Sequence, residues 1–255
     1  MPDINFVLPQ RLKERRVLLI EPDEAYVNGL AIKLRNLGLA RPIIATFDME
    51  PMKWAQDFDP ELIFVAHKSL EFDGPVFTKA LRRSDLPCRK APAIMIAPLA
   101  TRDNLTEARN AGIDEVILKP FADKDLVERI VHVLDKPRPW IEAMAYIGPD
   151  RRRFNSGQYH GPSKRGTKRA AGHLAEVEQS VRIIKSAVVN IDIDRHQALR
   201  SITAQMNILV ANARVLSDPQ FTSSVSQLLA VLKSPQPTRA ALLPILSTLV
   251  KFLNI

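Results

Sequence analysis

Residues 111–121 read AGIDEVILKPF. The run EVILK (115–119) predicts a strand ending at the Lys119-Pro120 pair, and Leu126, Ile130 and Val133 predict a helix over 124–134. Working back towards the N-terminus, the same alternation recurs. RVLLI (16–20), PIIAT (42–46), ELIFVA (61–66) and AIMIA (93–97) are strand candidates separated by amphipathic stretches, the clearest being 24–37 with Leu30, Leu34 and Leu37 on one stripe. Strands alternating with helices make a parallel sheet crossed by helices. Val, Ile and Leu occupy both parities of the runs, as strands covered on both faces require. The fold class that follows is α/β, a five-stranded parallel (βα)5 sandwich. In such sheets the functional cleft lies beyond the carboxyl ends of the strands, so the residues just after each apolar run matter most.

Those ends read IEPDEAY (20–26), VAHKSLEFDG (65–74), IAPLA (96–100) and ILKPF (117–121). In this order, over about residues 15–135, they resemble the receiver domain of bacterial response regulators. The most specific pieces are AGIDEVILKPF and the Asp73-Gly74 pair that closes the loop after the third strand. In ordinary members of that family an aspartate at the end of the third strand takes a phosphoryl group. Two acids after the first strand and that aspartate hold Mg²⁺, while a Ser or Thr after the fourth strand and a Lys after the fifth bind the phosphoryl oxygens. The chemistry demands these types: a carboxylate as nucleophile, hard oxygen ligands for Mg²⁺, and cationic or hydroxyl donors for the developing charge.

By the family's spacing the acceptor position falls on Ala66, and a methyl group neither attacks phosphorus nor binds a metal. Ala97 stands at the place of the hydroxyl residue, and Val116 at the fifth-strand place where an aromatic switch residue commonly sits. Glu21 and Asp23 are separated by Pro22, so the acid pair is reduced and shifted; Lys119 alone is unaltered. Residues 15–135 are therefore read as a pseudo-receiver that is not phosphorylated on aspartate and holds no metal or cofactor. A lysine in a partly buried cleft needs a counter-charge, and Glu21 and Asp23 are the carboxylates the resemblance places near it. A bridge from Lys119 to one of them would hold the cleft in one conformation. His67 is read as structural or solvated rather than as a substitute acceptor, and Asp73 as lying a full loop away from the lysine.

The chain of 255 residues carries a formal net charge of +8, and the location of that charge decides what it means. Residues 1–135 carry −2, residues 136–172 carry +7 and residues 173–255 carry +3. The basic stretch 136–172 is rich in Gly, Pro and Ser, lacks a sustained period and reads as a linker. Its Arg151, Arg152, Arg153, Lys164, Arg165, Lys168 and Arg169 offer an anion site, with Tyr146, Phe154 and Tyr159 available for stacking. No helix-turn-helix signature accompanies them.

Beyond it, Leu174, Val177, Val181, Ile184, Val188 and Ile191 form one stripe, and Leu199, Ile202, Met206, Leu209, Ala213 and Leu216 a second. A third helix at about 219–233 carries Phe221, Val225, Leu228 and Leu232. The fourth carries Leu242, Ile245, Leu249 and Phe252, with Pro244 either kinking it or occupying a first turn that starts near Leu243. Residues 173–255 thus read as an all-α helical bundle, small enough to favour self-association.

The single cysteine, Cys88, excludes an internal disulfide framework and a cysteine-based zinc cluster. No apolar run reaches the ~18 residues of a membrane span, and the N-terminus lacks the order of a signal peptide, so the chain reads as cytoplasmic. Three functions follow. The first is a non-enzymatic, phosphorylation-independent signalling adaptor, binding a partner through the 103–134 face and forming a homodimer through its C-terminal helices. The second is a nucleic-acid or nucleotide binder through 150–169. The third is a phosphorelay component using a bundle histidine, His173 or His196.

Overall fold

The computed structural model describes residues 8–39, 42–47, 50–151 and 169–253, the stretch 169–172 by its backbone alone. Five strands, β1 (Val17–Ile20), β2 (Ile43–Ile44), β3 (Leu62–Ala66), β4 (Ala93–Ala97) and β5 (Glu115–Leu118), form one sheet in the order β2-β1-β3-β4-β5, all parallel. The crossovers are α1 (Glu24–Asn36), α2 (Pro51–Phe58), α3 (Gly74–Arg83) and α4 (Arg102–Ala111), and α5 (Asp123–Asp135) follows β5. Successive side chains on a strand face opposite sides, and the core divides accordingly. Leu18, Ile20, Ile63, Val65 and Met95 pack into one apolar cluster. Val17, Leu19, Leu62, Phe64, Ile94 and Ile96 pack into the other, with Leu30 and Leu34 of α1 and Leu126 and Ile130 of α5. Aspartate and threonine side chains start the helices: Asp23 accepts from Tyr26 N, Asp73 from Val76 N and Thr101 from Asn104 N.

The chain divides into two compact units, the first holding residues up to Ile141 and again from Ile147, the second Glu142–Tyr146 and the C-terminal helices. The stretch read as a patternless linker therefore contains order. Residues β6 (Trp140–Glu142) and β7 (Ile147–Pro149) form a two-stranded ribbon. Its runs are too short for an alternation to register, and contacts made by single residues decide its fold. Tyr146 is 5% exposed, which corrects its reading as a free stacking platform.

In the second unit α6 (Arg169–Val189), α7 (Arg195–Leu216), α8 (Pro219–Leu232) and α9 (Arg239–Leu253) close a ring in which each helix packs on the next and α9 returns to α6. Val177, Val181, Ile184, Ile202, Met206, Leu209, Phe221, Val225, Leu228, Leu242, Leu246 and Leu249 fill the core. One expectation is corrected: Leu174, placed on the core stripe, is exposed near the start of α6. One choice left open is decided. Pro244 is the sixth residue of α9 and lies inside it, because the helix starts earlier at Arg239, where Thr238 Oγ1 accepts from Ala241 N. Among the described residues no helix is long and apolar enough to cross a membrane.

Candidate functional site

The carboxyl ends of β1, β3, β4 and β5 bring together Glu21, Ala66, Ala97 and Lys119, four residues that the sequence singles out. Glu21 follows β1 and is 9% exposed. Its Oε2 lies 2.8 Å from Lys119 Nζ, which follows β5, and its Oε1 accepts from Asp23 N at 3.3 Å. The lysine thus takes one of the two carboxylates named for it, and the other is engaged elsewhere: Asp23 Oδ1 caps α1 through Tyr26 N at 2.9 Å. The Tyr26 ring covers the ammonium, its centroid 3.4 Å from Lys119 Nζ, a cation–π contact. Ala66 and Ala97 end β3 and β4 and are buried, and Val116 is buried within β5.

Burial, and then the carboxylates of Glu21 and Asp23, push the Tyr26 phenol up to about 12. An unfolded chain ionises this tyrosine near ~10, so stability present below that pH is lost progressively as pH rises towards 12. Absorbance titration at alkaline pH is expected to show a late phenolate step in the native chain that Tyr26→Phe removes. A native titration superimposing on that of Tyr26→Phe plus one ordinary phenol would contradict the covered geometry.

The loop after β3 is tightly built. His67 N donates to Ile96 O at 3.0 Å and His67 O accepts from Gly74 N at 2.8 Å. A Cβ on Gly74 would lie 1.9 Å from Ala66 O and 2.9 Å from Val65 Cγ2, so only glycine fits where α3 starts against the end of β3. Gly74→Ala should lower the first unit's stability by about 2 kcal/mol through forced backbone shifts. Urea unfolding followed by tryptophan fluorescence measures this unit alone, because the two tryptophans, Trp54 and Trp140, both belong to it. His67 is 8% exposed and buried rather than solvated; its Nε2 lies 3.7 Å from Glu107 Oε2. Asp73 is a helix cap, and its Oδ2 lies 3.4 Å from Lys68 Nζ, which also reaches Glu107 Oε1 at 2.6 Å.

No protein-family model matches the chain. It is 27% identical over 124 residues to response regulator PleD of Caulobacter vibrioides, covering 48% of this chain and 26% of PleD. It is 26% identical over 125 residues to the phosphate regulon transcriptional regulatory protein PhoB of Escherichia coli, covering 49% of this chain and 54% of PhoB. The chain thus matches about half or less of the length of these curated relatives. A solved structure of a putative response regulator from Chloroflexus aurantiacus is similar at 20% identity and a TM-score of 0.45, over 49% of this chain and 100% of that one. The N-terminal half is receiver-like.

Within the receiver-like unit the largest departure from sequence reasoning is Arg82. Among the described residues it is the largest fully buried side chain, 1% exposed. Its guanidinium donates to Gly112 O at 3.0 Å, to Arg89 O and Ala91 O at 2.7 Å each, and to Asp114 Oδ2 at 3.0 Å. Burial holds the Asp114 carboxyl above its ordinary range while Arg82 pulls it down. Gly112, at φ +87, ends α4 where a Cβ would meet Arg82 Cγ and Ile147 O at 3.0 Å each. Arg82 sits in an ordinary amphipathic helix pattern beside Arg83, and nothing local distinguishes the two; its acceptors lie 7 to 32 residues away. Of the proposed anion site, Arg151 Nη1 donates to Asn110 Oδ1 at 2.9 Å and Arg169 opens α6. Arg152, Arg153, Lys164, Arg165, Lys168, Phe154 and Tyr159 lie outside the described residues. His196 is exposed on the first turn of α7, and His173 Nδ1 is 2.8 Å from Asn212 Oδ1.

Proposed function

We propose that the chain is a phosphorylation-independent signalling adaptor, response-regulator-like in its N-terminal half, that acts by binding other proteins rather than by catalysis. One observation carries this reading: Lys119 pairs with Glu21 at 2.8 Å beside Ala66. The ammonium that would meet a phosphoryl oxygen already faces a carboxylate, Tyr26 covers it, and the acceptor position holds a methyl group. Because a partly buried ammonium must be paired, the Glu21 carboxylate meets internally the charge that a phosphoryl oxygen would meet in an ordinary receiver. The cleft is therefore fixed in one conformation.

The surface that would read this conformation lies within residues 103–134, formed by α4, β5 and α5, with Leu118 exposed at the end of β5. The bundle serves dimerisation or a second partner, and the protein works in the cytoplasm. Incubation with acetyl phosphate and Mg²⁺ followed by intact-mass measurement tests the central claim, with Ala66→Asp alongside. The native mass is expected to stay unchanged. A phosphate adduct on the native chain would overturn the reading. Sedimentation equilibrium at micromolar concentration checks the dimer.

A further inference from the structure

Helix α7 buries a polar stripe. Gln197, Ser201 and Gln205, four residues apart on one face, are 3%, 0% and 4% exposed, where a packed helix ordinarily presents apolar side chains. Their partner is the tip of the ribbon, Glu142–Tyr146, which belongs to the same unit. Glu142, 4% exposed, accepts from Gln197 Nε2 at 3.2 Å, and its Oε1 lies 3.4 Å from Arg200 Nη2. Its carbonyl accepts from Gln205 Nε2 at 3.4 Å, and Gln197 Nε2 also reaches Ser201 Oγ at 3.1 Å. Two residues on, Met144 packs against the bundle core. Ala143 N donates to Tyr146 O at 2.9 Å, so the tip closes on itself.

We propose that Glu142–Tyr146 is a detachable strap, and that its seat on α7 is a binding site for a partner's peptide segment carrying a glutamate followed two residues later by methionine. The seat's chemistry selects this occupant. A carboxylate removed from water must be paired and hydrogen-bonded, and Arg200, Gln197 and Gln205 supply a cation and amide donors converging on one such group and its carbonyl. The hydrophobic effect holds Met144 against the bundle core, and that contact is broken when the strap leaves, whereas the rest of the seat is polar. A polar seat is rehydrated when it opens, so protein–protein hydrogen bonds exchange for water bonds at small net cost. Buried polar contacts of this kind discriminate between occupants, because a segment lacking the carboxylate leaves the donors unpaired. The strap goes beyond the adaptor reading and does not depend on the cleft around Lys119.

The test uses the full chain and a fluorescently labelled peptide of residues 140–150, WIEAMAYIGPD. Glu142→Lys places a cation against Arg200 and should open the seat, so the peptide is expected to bind this variant at least tenfold more tightly than the native chain. Adding Arg200→Glu should abolish that binding, and a peptide with glutamine in place of its glutamate should fail to bind Glu142→Lys. Met144→Ser, which weakens the strap without placing charge in the seat, should give the same gain. Equal affinity for native and variant chains overturns the proposal, as does failure to bind variants whose helical circular dichroism is intact. Loss of the helical signal of the bundle in both variants overturns it too, because a strap integral to the core cannot come off.

Discussion

Arg82→Met should lower the unfolding free energy of the receiver-like unit by about 4 kcal/mol, the cost of removing one partner from a buried ion pair. Methionine fills much of the space but donates nothing. Three carbonyls lose a donor, and the Asp114 carboxylate, 12% exposed, loses its 3.0 Å contact and is left with the Arg138 guanidinium at 3.9 Å. The deficit should depend on pH in one direction. Burial already raises the folded carboxyl of Asp114 above its ordinary range, and without Arg82 it rises further. The unfolded chain then ionises Asp114 first, so stability is retained in acid and lost as pH climbs above the ordinary carboxylate range. Urea unfolding read by tryptophan fluorescence, repeated from acid to neutral pH, measures both effects. A variant whose deficit is the same at every pH would show that Asp114 does not carry the cost.

Lys119→Met should cost about 3 kcal/mol, at the lower end for a buried pair because the lysine side chain is 27% exposed. Glu21 would be left in the cleft with no ammonium beside it. The double variant Glu21→Gln/Lys119→Met should recover most of the loss, since a neutral amide is far less costly to bury than a carboxylate. The same unfolding measurement decides this. If Lys119→Met were as stable as the native chain, the pair would be idle and the cleft would not be locked.

The receiver-like sheet was legible because its strands carry a strong local signal. Apolar residues on both parities mark strands covered on both faces, and the observed β3 and β4, Leu62–Ala66 and Ala93–Ala97, fall within or on the runs read from sequence. The cleft was legible for a related reason. Its residues sit at fixed offsets from the strand ends, so placing the strands places Glu21, Ala66, Ala97 and Lys119 together. Arg82 was not legible, since its position in α3 looks like that of any basic residue near a helix end, and its role depends on carbonyls brought from α4 and from the segment before β4. The ribbon was hidden in the same way, as two three-residue strands leave no period to read.

By itself the sequence determined the order of strands and helices and the two kinds of unit, and it put alanines at the two positions where the resemblance leads one to expect an acceptor and a hydroxyl. These follow from local periodicity and from residue identity at known spacing. Only the tertiary structure decided which carboxylate Lys119 takes, that Asp23 is needed as a helix cap, that Arg82 is fully buried, and that α7 hides a polar face under Glu142. Each of these is a choice among partners distant in sequence, settled by which groups the packing removes from water together.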